Sequence, residues 1–246
     1  MTRSWLTGVT MILMLAGAAI TGCKAKEAKS SGFTTAQMMD KDPELPFHKV
    51  WHKPDLDWQK YHKLYVAPVN TEYMLKQTDW QKGERKKEIE ADVAELAKFT
   101  KETVEKDFRD DPQHRYEVLS EPNKDPDTLI FEIAITEVIP SKVVLNALGY
   151  APFGIGLGIT AVRTVAGDQS SAAFEARVSD ASTNEIIAMA ADRESEQFAP
   201  ISVRGLTWYS HAKTMIQQWS KQFVQIANRK PHEMVKDTDA FTLKPW

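Results

Sequence analysis

The chain has 246 residues, 42% of them hydrophobic and 26% charged, a composition suited to one folded domain with appendages. Its 31 basic and 34 acidic residues leave a net charge of −3, which argues against a dedicated nucleic-acid binder. The single cysteine, Cys23, excludes an intrachain disulfide, and 11 glycines with 12 prolines exclude a collagen-like or Pro/Gly-dominated chain.

The N-terminus reads as an address. Arg3 supplies a positive start, and Val9 to Ile20 runs uncharged for about a dozen residues, too short for a spanning helix. The run ends in Ile20-Thr21-Gly22-Cys23, which resembles the lipobox of bacterial lipoproteins. The resemblance implies a signal peptide over 1–22, cleavage after Gly22 and acylation of Cys23; the mature chain then carries 30 basic and 34 acidic residues, net −4. Several acyl chains on one residue anchor stably where one does not. Lys24 follows the cysteine where an aspartate retains Gram-negative lipoproteins in the inner membrane. The resemblance therefore implies a lipid anchor in the cell outer membrane, on its periplasmic side.

Residues 23–46 are polar and without sustained periodicity, which predicts a lipidated N-terminus and a flexible, disordered tether. On that reading a chain starting near Pro46 keeps a cooperative unfolding transition. The folded domain is expected over 47–230, with a tail over 231–246 packing only through Phe241, Leu243 and Trp246.

Within the domain, Lys63 to Val69 is a strand candidate. Glu84 to Phe108 places Ile89, Val93, Leu96, Ala97, Val104 and Phe108 near a 3.6 period and predicts a long amphipathic helix. Arg115 to Leu119 is a short strand candidate. Thr128 to Ile139 alternates with Leu129, Phe131, Ile133 and Ile135 on one face, and its partly apolar second face predicts a central strand. Ser171 to Ser179 and Glu185 to Ser195 flank the turn residues Asp180-Ala181-Ser182-Thr183-Asn184 and predict an antiparallel hairpin. Thr207 to Arg229 carries an apolar stripe through Trp208, Ala212, Met215, Ile216, Trp219, Phe223 and Ile226. Two helices with one stripe each can cover one face of a sheet. The predicted fold is α/β (α+β), a two-layer sandwich of a mixed or antiparallel sheet under two helices.

The lipobox at Cys23, Trp58-Gln-Lys-Tyr61 leading into Leu64-Tyr-Val-Ala-Pro-Val69, the hairpin from Phe174 through Glu185, and the helix around Trp208 and Trp219 together resemble a family of bacterial lipoproteins catalogued as domain of unknown function 3313. The resemblance spans about residues 47–230. Its hairpin turn often has glycine where this chain has Asn184, a residue that also tolerates the left-handed conformation. The family offers no catalytic residues to carry over.

No catalytic set emerges from the residues themselves. Gly154-Ile-Gly156-Leu-Gly158 lacks the ending of a P-loop and the full GxGxxG spacing. No G-x-S-x-G is present. His48 and His52 are four apart but lack the glutamate of HExxH, and Pro54 interrupts a helix there, so both read as surface histidines. Glu132, Glu137, Asp180 and Asp192 lie on or beside strands and are the candidates for a carboxylate pair. Trp51, Trp58, Trp80, Trp208 and Trp219 invite a sugar-stacking reading, against which Trp219 sits on a core stripe. No cofactor, metal or nucleic acid is expected.

Val143 to Val162 is the feature left over, uncharged between Lys142 and Arg163. Three readings compete for it: a buried connection, an exposed apolar insertion touching membrane or a partner, and a membrane span. Phe153, Ile155, Leu157 and Ile159 are its candidate contact residues. The functional expectation is a non-enzymatic, lipid-anchored accessory or scaffold of the envelope. The alternative is an oligomeric or membrane-inserting component that uses this run, in self-association or with an envelope partner, and a third reading is a peptidoglycan or sugar binder or an envelope hydrolase.

Overall fold

The computed structural model describes residues 25–77, 86–141, 170–196 and 207–237. These build a six-stranded mixed sheet in the order β1-β6-β5-β4-β2-β3. The strands are β1 (Lys49–His52), β2 (Lys63–Val66), β3 (Glu117–Leu119), β4 (Thr128–Ile139), β5 (Ser170–Asp180) and β6 (Ile186–Glu196), and the helices are α1 (Glu72–Gln77), α2 (Lys86–Arg109) and α3 (Ser210–Asn228). β2 runs parallel to β3 and β4, and the remaining pairs are antiparallel. The expected α+β sandwich is therefore the observed one.

The central strand is where the alternation put it. Leu129, Phe131, Ile133 and Ile135 lie opposite Asp180, Val178, Ala176 and Phe174 on β5, and one irregularity follows between Ile135 and Glu137. That face packs under α2 and α3. Phe174 is the hub of the core, meeting Trp219 edge-on at 4.8 Å and Phe47 at 5.3 Å. Asn184 adopts the left-handed conformation its turn requires, with φ +57°.

Two elements escape the sequence reading. β1 is four residues long with Val50 and Trp51 adjacent, so it shows no alternation, yet it pairs with β6 from Lys49↔Ala191 to His52↔Ala188. The short helix α1 buries Met74.

The expected flexible tether is the larger difference. From Ala25 onward the segment is packed as an arm across the second face of the sheet. Glu175 is buried on β5 and accepts from Ser31 N (2.5 Å), Thr34 N (2.8 Å) and Thr34 Oγ1 (2.7 Å). Phe33 lies over the Arg177 guanidinium at 4.5 Å and edge-on to Tyr73 of α1 at 5.7 Å. Asp40 bridges the outer edge of β1 through Val50, while Met39 and Leu45 are buried. A polar arm without periodicity is ordered here because its donors satisfy a buried carboxylate rather than because it carries an apolar stripe. The tail is also pinned earlier than expected. Val235 is buried, and its N–H donates to Glu44 O at 2.9 Å.

Candidate functional site

The four candidate carboxylates separate once side chains are placed, because each has its own structural partner. Glu132 forms a bidentate pair with Arg177 across the β4–β5 register, at 2.7 and 2.9 Å. Glu137 faces Arg193 at 2.8 Å, and burial raises its pKa despite that charge. Asp180 caps the hairpin turn and accepts from Tyr61 Oη at 2.8 Å. Asp192 is buried, accepting from Trp219 Nε1 at 3.0 Å and lying 2.5 Å from His48 Nδ1. No two of these form a shared acid/base pair.

His48 is not a surface histidine. Its Nε2 lies 2.7 Å from the Ala25 carbonyl, so the ring joins the start of the arm to Asp192 and, through it, to α3. His52 is exposed, and its Nδ1 lies 3.4 Å from Lys53 O. Trp219 serves the core, and Trp208 is buried with its Nε1 donating to Asp92 at 2.7 Å. Among the described residues, no group of three or more His, Cys, Asp or Glu side chains is placed to hold a metal, and no helix is long and apolar enough to cross a membrane. Cys23, Trp80, the glycines 154–158 and the candidate contacts Phe153, Ile155, Leu157 and Ile159 lie outside the described residues.

What the helices leave uncovered is a cleft of about 490 Å³ on the core face of the sheet. Its cause can be read in side-chain size. The floor is crossed by Ala176 on β5 and by Ala188 and Ala190 on β6, which the register aligns with Val178, Ala176 and Val50 on the neighbouring strands. Above this floor the apolar stripe of α3 runs on past Trp219 to Phe223, Ile226 and Ala227, all half-buried; Phe223 packs against Phe47, Phe131 and Phe174, and the small alanine side chains leave the space beside it unfilled. Leu56 and Trp58, in the loop between β1 and β2, also line the space and are half-buried. Trp58 thus becomes a wall of the cleft, and Trp51, on the edge strand, also borders it.

The charged residues of the cleft's rim come from loops. Lys53 and Asp55 follow β1, Arg115 precedes β3, and Arg229 and Lys230 follow α3. The strand directions bring the end of β1 and the starts of β2, β3, β4 and β6 to the same end of the sheet, so these loops gather there. Lys53 is paired with Glu185 at 2.7 Å and Arg229 with Glu44 at 3.3 Å. Arg115 donates to the carbonyls of Tyr61 (2.8 Å) and Trp58 (2.6 Å), which leaves its charge without an acidic side-chain partner among the described residues. Lys230 is exposed and has no ion pair among the described residues. Sequence reasoning passed over this cleft because alanines in strands read as neutral filler. The signal was the mismatch between a long apolar stripe on α3 and the small residues Ala176, Ala188 and Ala190.

A six-stranded mixed sheet carrying two helices on one face and an N-terminal arm on the other defines the class, a single-sheet α+β domain. The family profile described as "Protein of unknown function (DUF3313)" matches residues 29–223, and the chain belongs to that family. The match begins inside the arm, at a point the structure packs onto the sheet. A comparison with curated proteins finds no match. Among solved structures, a PelC dodecamer from Paraburkholderia phytofirmans is similar at 9% identity and a TM-score of 0.36, over 70% of this chain and 93% of that chain. A variant PelC dodecamer from the same organism gives 8% and 0.35, over 70% and 96%. Likeness this distant fixes neither function nor assembly for this chain.

Proposed function

We propose that the protein is a lipid-anchored, non-catalytic accessory module of the cell envelope, held through Cys23 at the periplasmic face of the outer membrane. The reading rests on Ile20-Thr21-Gly22-Cys23 closing an uncharged run. The geometry supports an orientation for it. Ala25 O meets His48 Nε2 and Lys26 O accepts from Arg193 at 3.4 Å, so the body begins within three residues of the lipidated position. This leaves no long spacer, and the body rests close to the lipid surface. Replacing Cys23 by serine is expected to abolish palmitate labelling and to release the protein from the membrane fraction or leave an unprocessed precursor. Normal labelling of Cys23→Ser overturns the anchor.

A second reading, contact with lipid or with a second copy through residues 143–162, draws on the base of that run. Past the end of β4 at Ile139 the described chain runs to Ser141 and resumes at Ser170, the start of β5, and Ser141 N donates to Ser170 Oγ at 3.1 Å. β4 and β5 are already antiparallel neighbours, a pairing that a two-residue turn can join, so the sheet does not require the run. Ser141 and Ser170 also lie at the end of the sheet where His48 and Arg193 hold the arm. That shared end favours contact with lipid over contact with a second copy. The double variant Ile155→Glu with Ile159→Glu is expected to keep its melting temperature and to lose association with liposomes. An unchanged flotation with a changed oligomer size supports self-association instead. Unfolding shows that the run is core, since two buried unpaired carboxylates cost several kcal/mol.

A further inference from the structure

We propose that the cleft on the core face binds one amphiphile, a single acyl chain with an anionic head group. Three observations carry this. The volume, about 490 Å³, falls within the range of small-molecule sites, roughly 300–1,000 Å³. The strand floor and the α3 wall are paved with Ala176, Ala188, Ala190, Phe223, Ile226 and Ala227, none of which offers a side-chain hydrogen bond. A sugar lying along that floor and wall would find no side-chain partner there for its hydroxyls, and each unpaired hydroxyl offsets what stacking on Trp58 contributes. The rim charges gather in the loops at one end, where four basic residues meet the single acid Asp55, and where Arg115 and Lys230 have no acidic partner among the described residues. An anionic head complements that rim while the chain lies along the alanine floor.

The inference does not depend on lipidation of Cys23, because its test reads binding in solution. The chain from position 23 onward, carrying Cys23→Ser, retains every described residue. Titrating it with anthroyloxy-labelled palmitate is expected to give saturable binding. Competition by unlabelled palmitate, by lysophosphatidylglycerol or by both supports the proposal and tells a free fatty acid from a lysophospholipid. Zwitterionic lysophosphatidylcholine is expected to compete several-fold less well. Ala190→Phe, which fills the floor, is expected to abolish binding with the melting temperature kept or raised. Lys230→Glu replaces an exposed side chain without an ion pair among the described residues, so it leaves the fold intact and should weaken only the anionic competitors. The proposal is overturned by absence of saturable binding, by full binding to a folded Ala190→Phe variant, by equal competition from lysophosphatidylcholine, or by displacement with a peptidoglycan disaccharide.

Discussion

A chain that begins at Pro46 is expected to unfold far below the full chain's melting temperature, or to show no cooperative transition. The composition of residues 24–45 alone predicts the reverse, because so polar a segment has little to bury. The arm acts through what it supplies to the sheet. Glu175 is 3% exposed, and its three donors within the described residues all belong to Ser31 and Thr34. Removing them takes three hydrogen bonds from a carboxylate and uncovers it, and hydrogen bonds to charged groups contribute about 1.5–3 kcal/mol each. His48 and the edge of β1 lose their arm contacts in the same step. Against a typical stability of about 5–15 kcal/mol, the loss is large. Thermal unfolding followed by circular dichroism measures it. Adding Glu175→Ala to the shortened chain should recover part of the stability, because the carboxylate left without its donors goes with it. A shortened chain that melts where the full chain does returns the arm to the status of a tether.

The elements with a clear period were legible in the sequence. β4 falls on Thr128–Ile139 as its alternation requires, α2 and α3 follow their stripes, and the β5–β6 hairpin turns at Asp180 to Asn184. Elements set by long-range partners were not legible. β1 is a strand because β6 offers it an edge, and nothing in Lys49-Val-Trp-His announces that. The arm is ordered by Glu175, which lies some 140 positions away in the chain. The site was hidden for a related reason. Ala176, Ala188 and Ala190 are far less informative along the chain than side by side across two strands, where their small size beneath α3 opens the cleft. The carboxylates invert the lesson: as a set read along the chain, Glu132, Glu137, Asp180 and Asp192 suggested chemistry, and in space each is committed to holding two parts of the fold together.

Asp180→Ala is expected to destabilise the protein by about 3 kcal/mol at pH 7, in the upper part of the range for single substitutions. One oxygen of Asp180 accepts from Ser182 N (2.9 Å), Ser182 Oγ (2.6 Å) and Thr183 N (3.1 Å), which closes the turn between β5 and β6. The other accepts from Tyr61 Oη at 2.8 Å and Lys60 Nζ at 3.1 Å, which ties that turn to the start of β2. Tyr61 is fully buried, so truncation leaves its hydroxyl without this acceptor in a dry setting. The same contacts give the effect a pH signature. Burial by itself pushes the Asp180 carboxyl upward, but the hydrogen bonds from Ser182, Tyr61 and Lys60 outweigh it and hold the carboxyl well below the usual range. A carboxyl whose pKa is lower in the folded than in the unfolded chain contributes stability in full above the unfolded value of about 3.9. That contribution fades as pH falls below it toward the folded value. The gap in melting temperature between the natural chain and Asp180→Ala should therefore be widest near neutral pH and narrow steadily between about pH 5 and pH 2. Tyr61→Phe removes one of the five donors and should show a smaller gap with the same trend. A gap that stays constant down to pH 2 means that Asp180 acts only through turn geometry, and that its charge contributes nothing to the joint between the hairpin and β2.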